Sequence, residues 1–193
     1  MEADRLSRTD IIQMTRQDGE AWAVAHAQRL IELSGQIGKN LPYDTAVMEL
    51  AAYLHDWGAF PKYAQKGVEH ALRSRQVVES EILPRLDLPT AQAAVLLEAI
   101  ELHDYHDPRP TQSNEALLLR EADMLEFLGM MGMARDFARG PKNIEACYQR
   151  ILSRRSGIQD CFKLPLAQEI AKVRLKRMET CLQWLNEESF GVL

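Results

Sequence analysis

The residues in this chain best suited to chemistry are its histidines and the aspartates beside them. There are five histidines in 193 residues, and three are followed at once by aspartate: His55-Asp56, His103-Asp104 and His106-Asp107. A His-Asp pair at a helix break can turn both side chains toward one cation. The imidazole supplies a neutral nitrogen ligand and the carboxylate supplies negative charge. His26, His55 and His103 each fall on the apolar stripe of a different expected helix, and His70 opens another. Burying imidazole costs free energy unless both ring nitrogens find partners, so one such histidine alone reads as a satisfied core residue. Several of them on separate helices, joined by inward carboxylates, read as a shared site in which a divalent cation serves them all.

The dipeptide does not choose among its three copies. His55-Asp56 closes the apolar helix Glu49-Leu50-Ala51-Ala52-Tyr53-Leu54, with His26 on an earlier helix and Asp123 on a later one. His103-Asp104 also closes an apolar helix, so periodicity does not exclude it. His106-Asp107 lies in a stretch carrying Pro108 and Pro110 and reads as a solvated loop.

The elements that must carry these groups are helical, because no stretch combines β-branched enrichment with strict alternation. Glu20 to Ile37 sets Trp22, His26, Leu30 and Leu33 at steps of three and four, then stops at Gly35 to Gly38, Asn40 and Pro42. Asp44 is a natural N-cap for a helix to His55, with Val47, Leu50, Ala51, Leu54 and His55 inward. A third helix is expected from Val68 to Leu83 and a fourth, capped by Thr90, through His103. Asp104 to Thr111 reads as loop. A fifth helix runs from Ser113 or Asn114 through Phe127, and helical pattern resumes over Met130–Ala138 until Gly140-Pro141 stops it. Asn143–Ser153 and Pro165–Glu188 complete the set. The expected fold is all-α: a single compact multi-helix bundle over residues 1–193, with a core at 18–138 and a C-terminal helical pair at 141–190 packed on it.

Composition narrows the function. Hydrophobic residues make up 46% and charged residues 26%, which is globular usage rather than disorder. The net charge of -5 gives no basic surplus for holding nucleic-acid backbone. Apolar runs such as Ala91 to Ile100 are too short and interrupted for a membrane span. The opening Met1-Glu2-Ala3-Asp4-Arg5 lacks a signal-peptide layout, and three cysteines without a C-x-x-C pair fit a reduced, cytoplasmic protein. No P-loop, Rossmann or nucleophile-elbow glycine string occurs.

The order His26 … His55-Asp56 … Asp123 resembles the HD-domain metal-dependent phosphohydrolases, in particular the small stand-alone bacterial type. Ala51-Ala52-Tyr53-Leu54-His55-Asp56-Trp57-Gly58 is similar to the family's AALLHDIG string. Glu69-His70-Ala71-Leu72-Arg73-Ser74 is similar to a family helix start. Arg120 to Gly129, followed by Gly132-Met133-Ala134-Arg135, is similar to xDADRLDxLG followed by GIAR, and Lys172, Arg174 and Glu179 on a long final helix extend the likeness. Met124 stands where relatives often have Arg, and Glu126 where they often have Asp, which puts substrate contacts in question but no metal ligand.

The resemblance implies that His26, His55, Asp56 and Asp123 hold a divalent ion (Mn, Mg, Co, Ni, Zn or Fe). His70 and His103 then either contact the substrate phosphate or complete a second metal site, and one ion is preferred over two. It implies hydrolysis of a phosphate ester or anhydride, such as a nucleotide or related phosphorylated metabolite, by a metal-activated water. Lys62, Lys66, Arg109 and Arg120 are candidates for holding phosphate, although such lysines and Arg109 are commonly solvated. Arg120 and Arg135 would face the site or brace it. Two alternatives stand beside this reading: a di-iron oxygenase using His26, His55, Asp56, His70, His103 and Asp123, and a helical module that binds a nucleotide without turnover. The methionines Met124, Met130, Met131 and Met133 read as core filler or a pocket wall. Trp22, Trp57 and Trp184 read as packing, with Trp57 able to line a base-binding wall, and the cysteines read as buried thiols.

Overall fold

The computed structural model describes residues 5–140 and 142–193. Among them there are nine α-helices and no strand: α1 (Arg8–Asp18), α2 (Glu20–Ile37), α3 (Thr45–Leu54), α4 (His70–Val77), α5 (Thr90–Glu101), α6 (Asn114–Glu126), α7 (Gly129–Arg139), α8 (Ile144–Ile158) and α9 (Pro165–Glu188). Caps explain several starts, since the first amides of a helix need acceptors. Asp44 accepts from the amides of Ala46 and Val47 at α3, Asn143 accepts from Ala146 at α8, and Ser7 with Asp10 forms a capping box at α1.

Some expected boundaries shift for physical reasons. Helix α4 starts at His70, not Val68, and gives way after Val77 to a wider turn over Val78–Ile82 and a 3-10 turn at Leu83–Arg85. Pro84 has no N–H to bond the Ser80 carbonyl and its ring crowds that carbonyl, so regular helix cannot run through it. Thr90 is the first residue of α5 rather than its cap, and α5 ends at Glu101, leaving His103 just beyond it. Helix α8 continues to Ile158, five residues past the expected end at Ser153. Helix α1 gave little signal because only Ile11 and Thr15 of it are buried.

The chain forms two compact units, the first ending at Arg120 and the second running Glu121–Leu193, so the division falls inside α6. In the first unit α3 is central, with Val47, Ala51 and Leu54 fully buried and packed against α1, α2 and α5. Its start is tied down by Asp44, whose amide donates to Glu115 Oε1 at 2.6 Å and whose carboxylate accepts from Gln92. Its end runs into a 3-10 turn, Trp57–Ala59, that is held on both sides. Trp57 is fully buried, stacks on Tyr63 and donates from Nε1 to Thr15 Oγ1 at 3.0 Å. It therefore anchors this turn to α1 and forms no ligand wall. Gly58 is pressed onto the first turn of α4: its amide donates to Ser74 Oγ at 2.7 Å, and a Cβ at this position would lie 2.2 Å from the His70 carbonyl oxygen.

In the second unit α7 packs on α8 and α9. Asp136, almost fully buried on α7, pairs with Arg154 at 2.6 Å and Arg150 at 3.1 Å on α8. Helix α9 has no cap of its own; the buried Glu121 carboxylate accepts the amides of Lys163 and Leu164 at its start. Gly129 takes a positive φ of 71° and meets Arg174 closely, so a side chain there is doubly disfavoured.

Other side chains depart from expectation. Trp22 is 40% exposed and Trp184 57% exposed, because each lies at the edge of its helix's apolar stripe. Met124 and Met133 are core, whereas Met130 and Met131 are exposed. Of the cysteines only Cys147 is buried; Cys161 is exposed and Cys181 half-buried. Among the described residues no helix is long and apolar enough to cross a membrane.

Gly58→Ala is expected to cost about 1–3 kcal/mol, because the added methyl meets backbone that cannot rotate away. Urea denaturation measures this, and a stability equal to the native chain's would show that the turn does not bear on α4 as described.

Candidate metal centre

Two histidines end their helices in the same way. His55 is the C-cap of α3 and sets Nδ1 2.9 Å from the Ala52 carbonyl oxygen. His103 follows α5 and sets Nδ1 2.7 Å from the Ile100 carbonyl oxygen. The last carbonyls of a helix lack intrahelical partners, and a carbonyl can only accept. Each Nδ1 must therefore carry the proton, and in the neutral ring each Nε2 carries a lone pair. This is the tautomer that a metal-ligating imidazole needs, with its outer nitrogen held by a backbone acceptor.

These lone pairs converge on the Asp56 carboxylate. Oδ2 lies 3.3 Å from His55 Nε2 and 3.8 Å from His26 Nε2. Oδ1 lies 3.7 Å from His70 Nε2 and 3.8 Å from His103 Nε2. The ring of His26, almost fully buried on α2, sits with its centroid 5.2 Å from that of His55. Burial pushes the Asp56 carboxyl up, but the positive charge of His55 when protonated, its hydrogen bond, and the like charges of His26 and His103 outweigh it and hold the group well below the usual carboxylate range. Asp56 is thus an anion surrounded by nitrogens.

The set fits a cation. His55 Nε2 is buried without a hydrogen-bond partner among the described residues, facing a carboxylate oxygen. A lone pair against an anion is unfavourable unless a proton or a metal ion lies between them. Ligand atoms of His55, Asp56 and His103 lie within 4.8 Å of one another. His70 and His103 approach Nε2 to Nε2 at 3.1 Å, a separation that requires a proton on His70 Nε2 or a cation shared by both lone pairs.

The neighbours of the set differ from the sequence expectation. Asp104 stands beside His70, its Oδ2 3.8 Å from His70 Nδ1, while its Oδ1 accepts from the amide and Nδ1 of the exposed His106. The second His-Asp dipeptide thus splits its duties: His103 faces Asp56 and Asp104 backs His70. The repeated dipeptide was the only sequence signal for Asp104, and it pointed to a rival site.

The candidate phosphate-holding cations are mostly engaged. Lys62 pairs with Asp18 at 2.7 Å and lies over the Tyr63 ring, and its hydrogen bond to Asp18 pushes its pKa up. Arg109 spans Asp107 and Glu101 at 2.6 and 2.8 Å. Lys66 is exposed. Arg120 donates from Nε to the Leu102 carbonyl at 2.6 Å and from Nη1 to the Arg109 carbonyl, bracing the segment that carries His103.

In the second unit Asp123 is buried in the last turns of α6. Met124 and Glu126 beside it are also buried, so the Met124 departure from the family pattern is a packing residue. Arg135 lies over the Phe127 ring with Nη1 3.8 Å from Glu126 Oε2, a bracing position.

Comparison with known proteins bears on the family and the fold. The family model described as HD domain matches residues 23–128. A predicted HD superfamily hydrolase from an uncultured Thermotogales bacterium superposes with a TM-score of 0.66 at 23% identity, covering 97% of this chain and 95% of its own. Bacillus subtilis YpgQ in complex with ADP gives a TM-score of 0.69 at 19% identity, covering 94% and 97%. An HD-superfamily hydrolase from Bacillus thuringiensis gives 0.67 at 18% identity, covering 94% and 96%. No curated protein sequence matches the chain. With the family model spanning more than half of its length, on the segment that carries the histidines and Asp56, the chain belongs to the HD domain family.

Proposed function

We propose that this protein is a divalent-metal-dependent phosphohydrolase acting on a phosphate ester or anhydride, most simply a nucleotide or related phosphorylated metabolite. The observation that carries the reading is the Asp56 carboxylate set among the Nε2 atoms of His26, His55, His70 and His103. The HD family membership supports it, as does the ADP bound to the structural neighbour YpgQ.

His26, His55 and Asp56, together with Asp123 as the second carboxylate of the family order, would hold one cation. When bound, such an ion acidifies a coordinated water and offsets charge on phosphoryl oxygens. Imidazole-rich sets suit Fe, Co, Ni or Zn better than Mg, which prefers oxygen ligands, and a mixed set of imidazoles and carboxylates also accommodates Mn. His70 and His103 lie against the other Asp56 oxygen. A His70 ring N–H can donate to a phosphoryl oxygen, and His103, whose Nε2 carries a lone pair in the neutral ring, can do so once protonated, stabilising the charge that develops there. Arg120 keeps His103 in place through the Leu102 carbonyl.

One observation favours a second reading. The two Asp56 oxygens divide their neighbours evenly, Oδ2 toward His26 and His55 and Oδ1 toward His70 and His103. A carboxylate so placed can bridge two cations.

Asp56→Ala is expected to lose both metal retention and hydrolysis while the fold persists, because the residue follows the end of α3 and lies outside its apolar stripe. Metal analysis and a turnover assay across nucleotides and phosphomonoesters check this; native turnover in the metal-supplied variant would move the chemistry to another His-Asp pair.

Metal stoichiometry of His103→Ala beside the native chain, after dialysis, separates the two readings. One ion in both, with turnover lowered in the variant, is expected if His103 contacts phosphate. A fall from two ions toward one supports the bridged pair, and two irons with an oxidised di-iron absorption band support an oxygenase instead.

A further inference from the structure

A cleft of about 470 Å3 opens between the start of α4 and the segment after α5, lined by Glu69, Leu72, Glu101, Asp104, Asp107 and Arg109 among others. That volume lies within the range of small-molecule sites, about 300–1,000 Å3. One wall is shared with the candidate metal centre: Asp104 stands 3.8 Å from His70, and Glu69 is the residue just before it.

The charge of this cleft is opposite to what a phosphate chain needs. Its guanidinium is occupied, with Arg109 donating to Asp107 and to Glu101. Glu101 also holds Arg75 at 3.0 Å, and the His106 ring is engaged by Asp104. The exposed Glu69 carboxylate has no ion pair among the described residues. The floor is apolar, made of Ala71, Leu72 and Pro108, with Leu72 38% exposed. A free carboxylate beside apolar lining suits a flat, uncharged group that carries N–H donors, and it repels an anion.

We propose that this cleft takes the nucleobase of the substrate, with the base packed on Leu72 and an exocyclic amine donating to Glu69. The inference rests on the phosphohydrolase reading above and adds an orientation: phosphates toward Asp56 and its histidines, base toward α4. It also adds a preference, since adenine presents an amine where hypoxanthine presents a carbonyl.

The test compares kcat/KM for ATP, ITP and inorganic tripolyphosphate, each with Mn, in the full-length native chain and in Glu69→Lys and Leu72→Arg. Both positions are at the surface, and circular dichroism with metal content verifies that each variant keeps its fold and site. The native chain should favour ATP over ITP. Glu69→Lys should reduce that ratio about tenfold, the size of one charge-assisted hydrogen bond. Leu72→Arg should lower ATP relative to tripolyphosphate by a similar factor. Ratios unmoved in both variants, or tripolyphosphate hydrolysed while ATP is not, overturn the cleft assignment and leave the hydrolase reading intact. A metal-loaded native chain that hydrolyses none of the three overturns both.

Discussion

The hydrogen bond from an imidazole Nδ1 to the carbonyl three residues earlier is the constraint on which the candidate centre depends. It occurs at the ends of both α3 and α5, at 2.9 and 2.7 Å. In each case a helix ends with carbonyls that have lost their partners, and the histidine repairs one of them. The same bond fixes the tautomer and aims Nε2 away from its own helix. One interaction thus terminates the helix, satisfies a buried acceptor and prepares a ligand. Asp56 gains from this arrangement once a proton or a cation lies between its oxygens and those nitrogens, because a half-buried carboxylate is costly unless positive or hydrogen-bonding groups surround it.

The frame around these bonds is stiff on several sides. Trp57 ties the turn after His55 to α1 through Thr15, whose hydroxyl donates in turn to the Tyr53 carbonyl. Gly58 lets the backbone of the same turn sit directly on α4, which brings His70 beside Asp56. Arg120 holds the Leu102 carbonyl, one residue before His103. The second unit is built by similar means, with Glu121 supplying the start of α9 and Asp136 joining α7 to α8. At Arg120, Glu121 and Asp136 a charged side chain satisfies an element remote from it in sequence.

That remoteness marks what was legible in the sequence. Helices α2 and α9 run over the expected residues, because long stripes and clear stop signals define them. The inward phase of His26, His55 and His103 was legible for the same reason, and all three are buried. The fate of cations was not legible: Lys62 meets Asp18, 44 residues away, and no local pattern announces that pair. Trp57 packs as expected and Trp22 does not, for a related reason. Periodicity assigns a face, but the depth of burial depends on which element covers that face. Thr15 and Tyr63 cover Trp57, while nothing local indicated that Trp22 would lie open.

The distribution of charge ties the chemistry to the substrate. Imidazoles are neutral ligands, so a divalent ion held by them and one or two carboxylates would keep part of its positive charge or, at most, be just neutralised. A site of that kind attracts an anion and can stabilise more negative charge as a phosphoryl group reacts. Immediately beside it, the surface from Glu69 to Arg109 has its guanidinium tied to carboxylates and an acceptor left exposed. On the proposed reading phosphate would be drawn to one place and repelled from the next, so a substrate with a charged end and an uncharged end would dock in one direction. The orienting element is then the contrast between two neighbouring fields, both set by side chains that the ends of α3, α4 and α5 bring together.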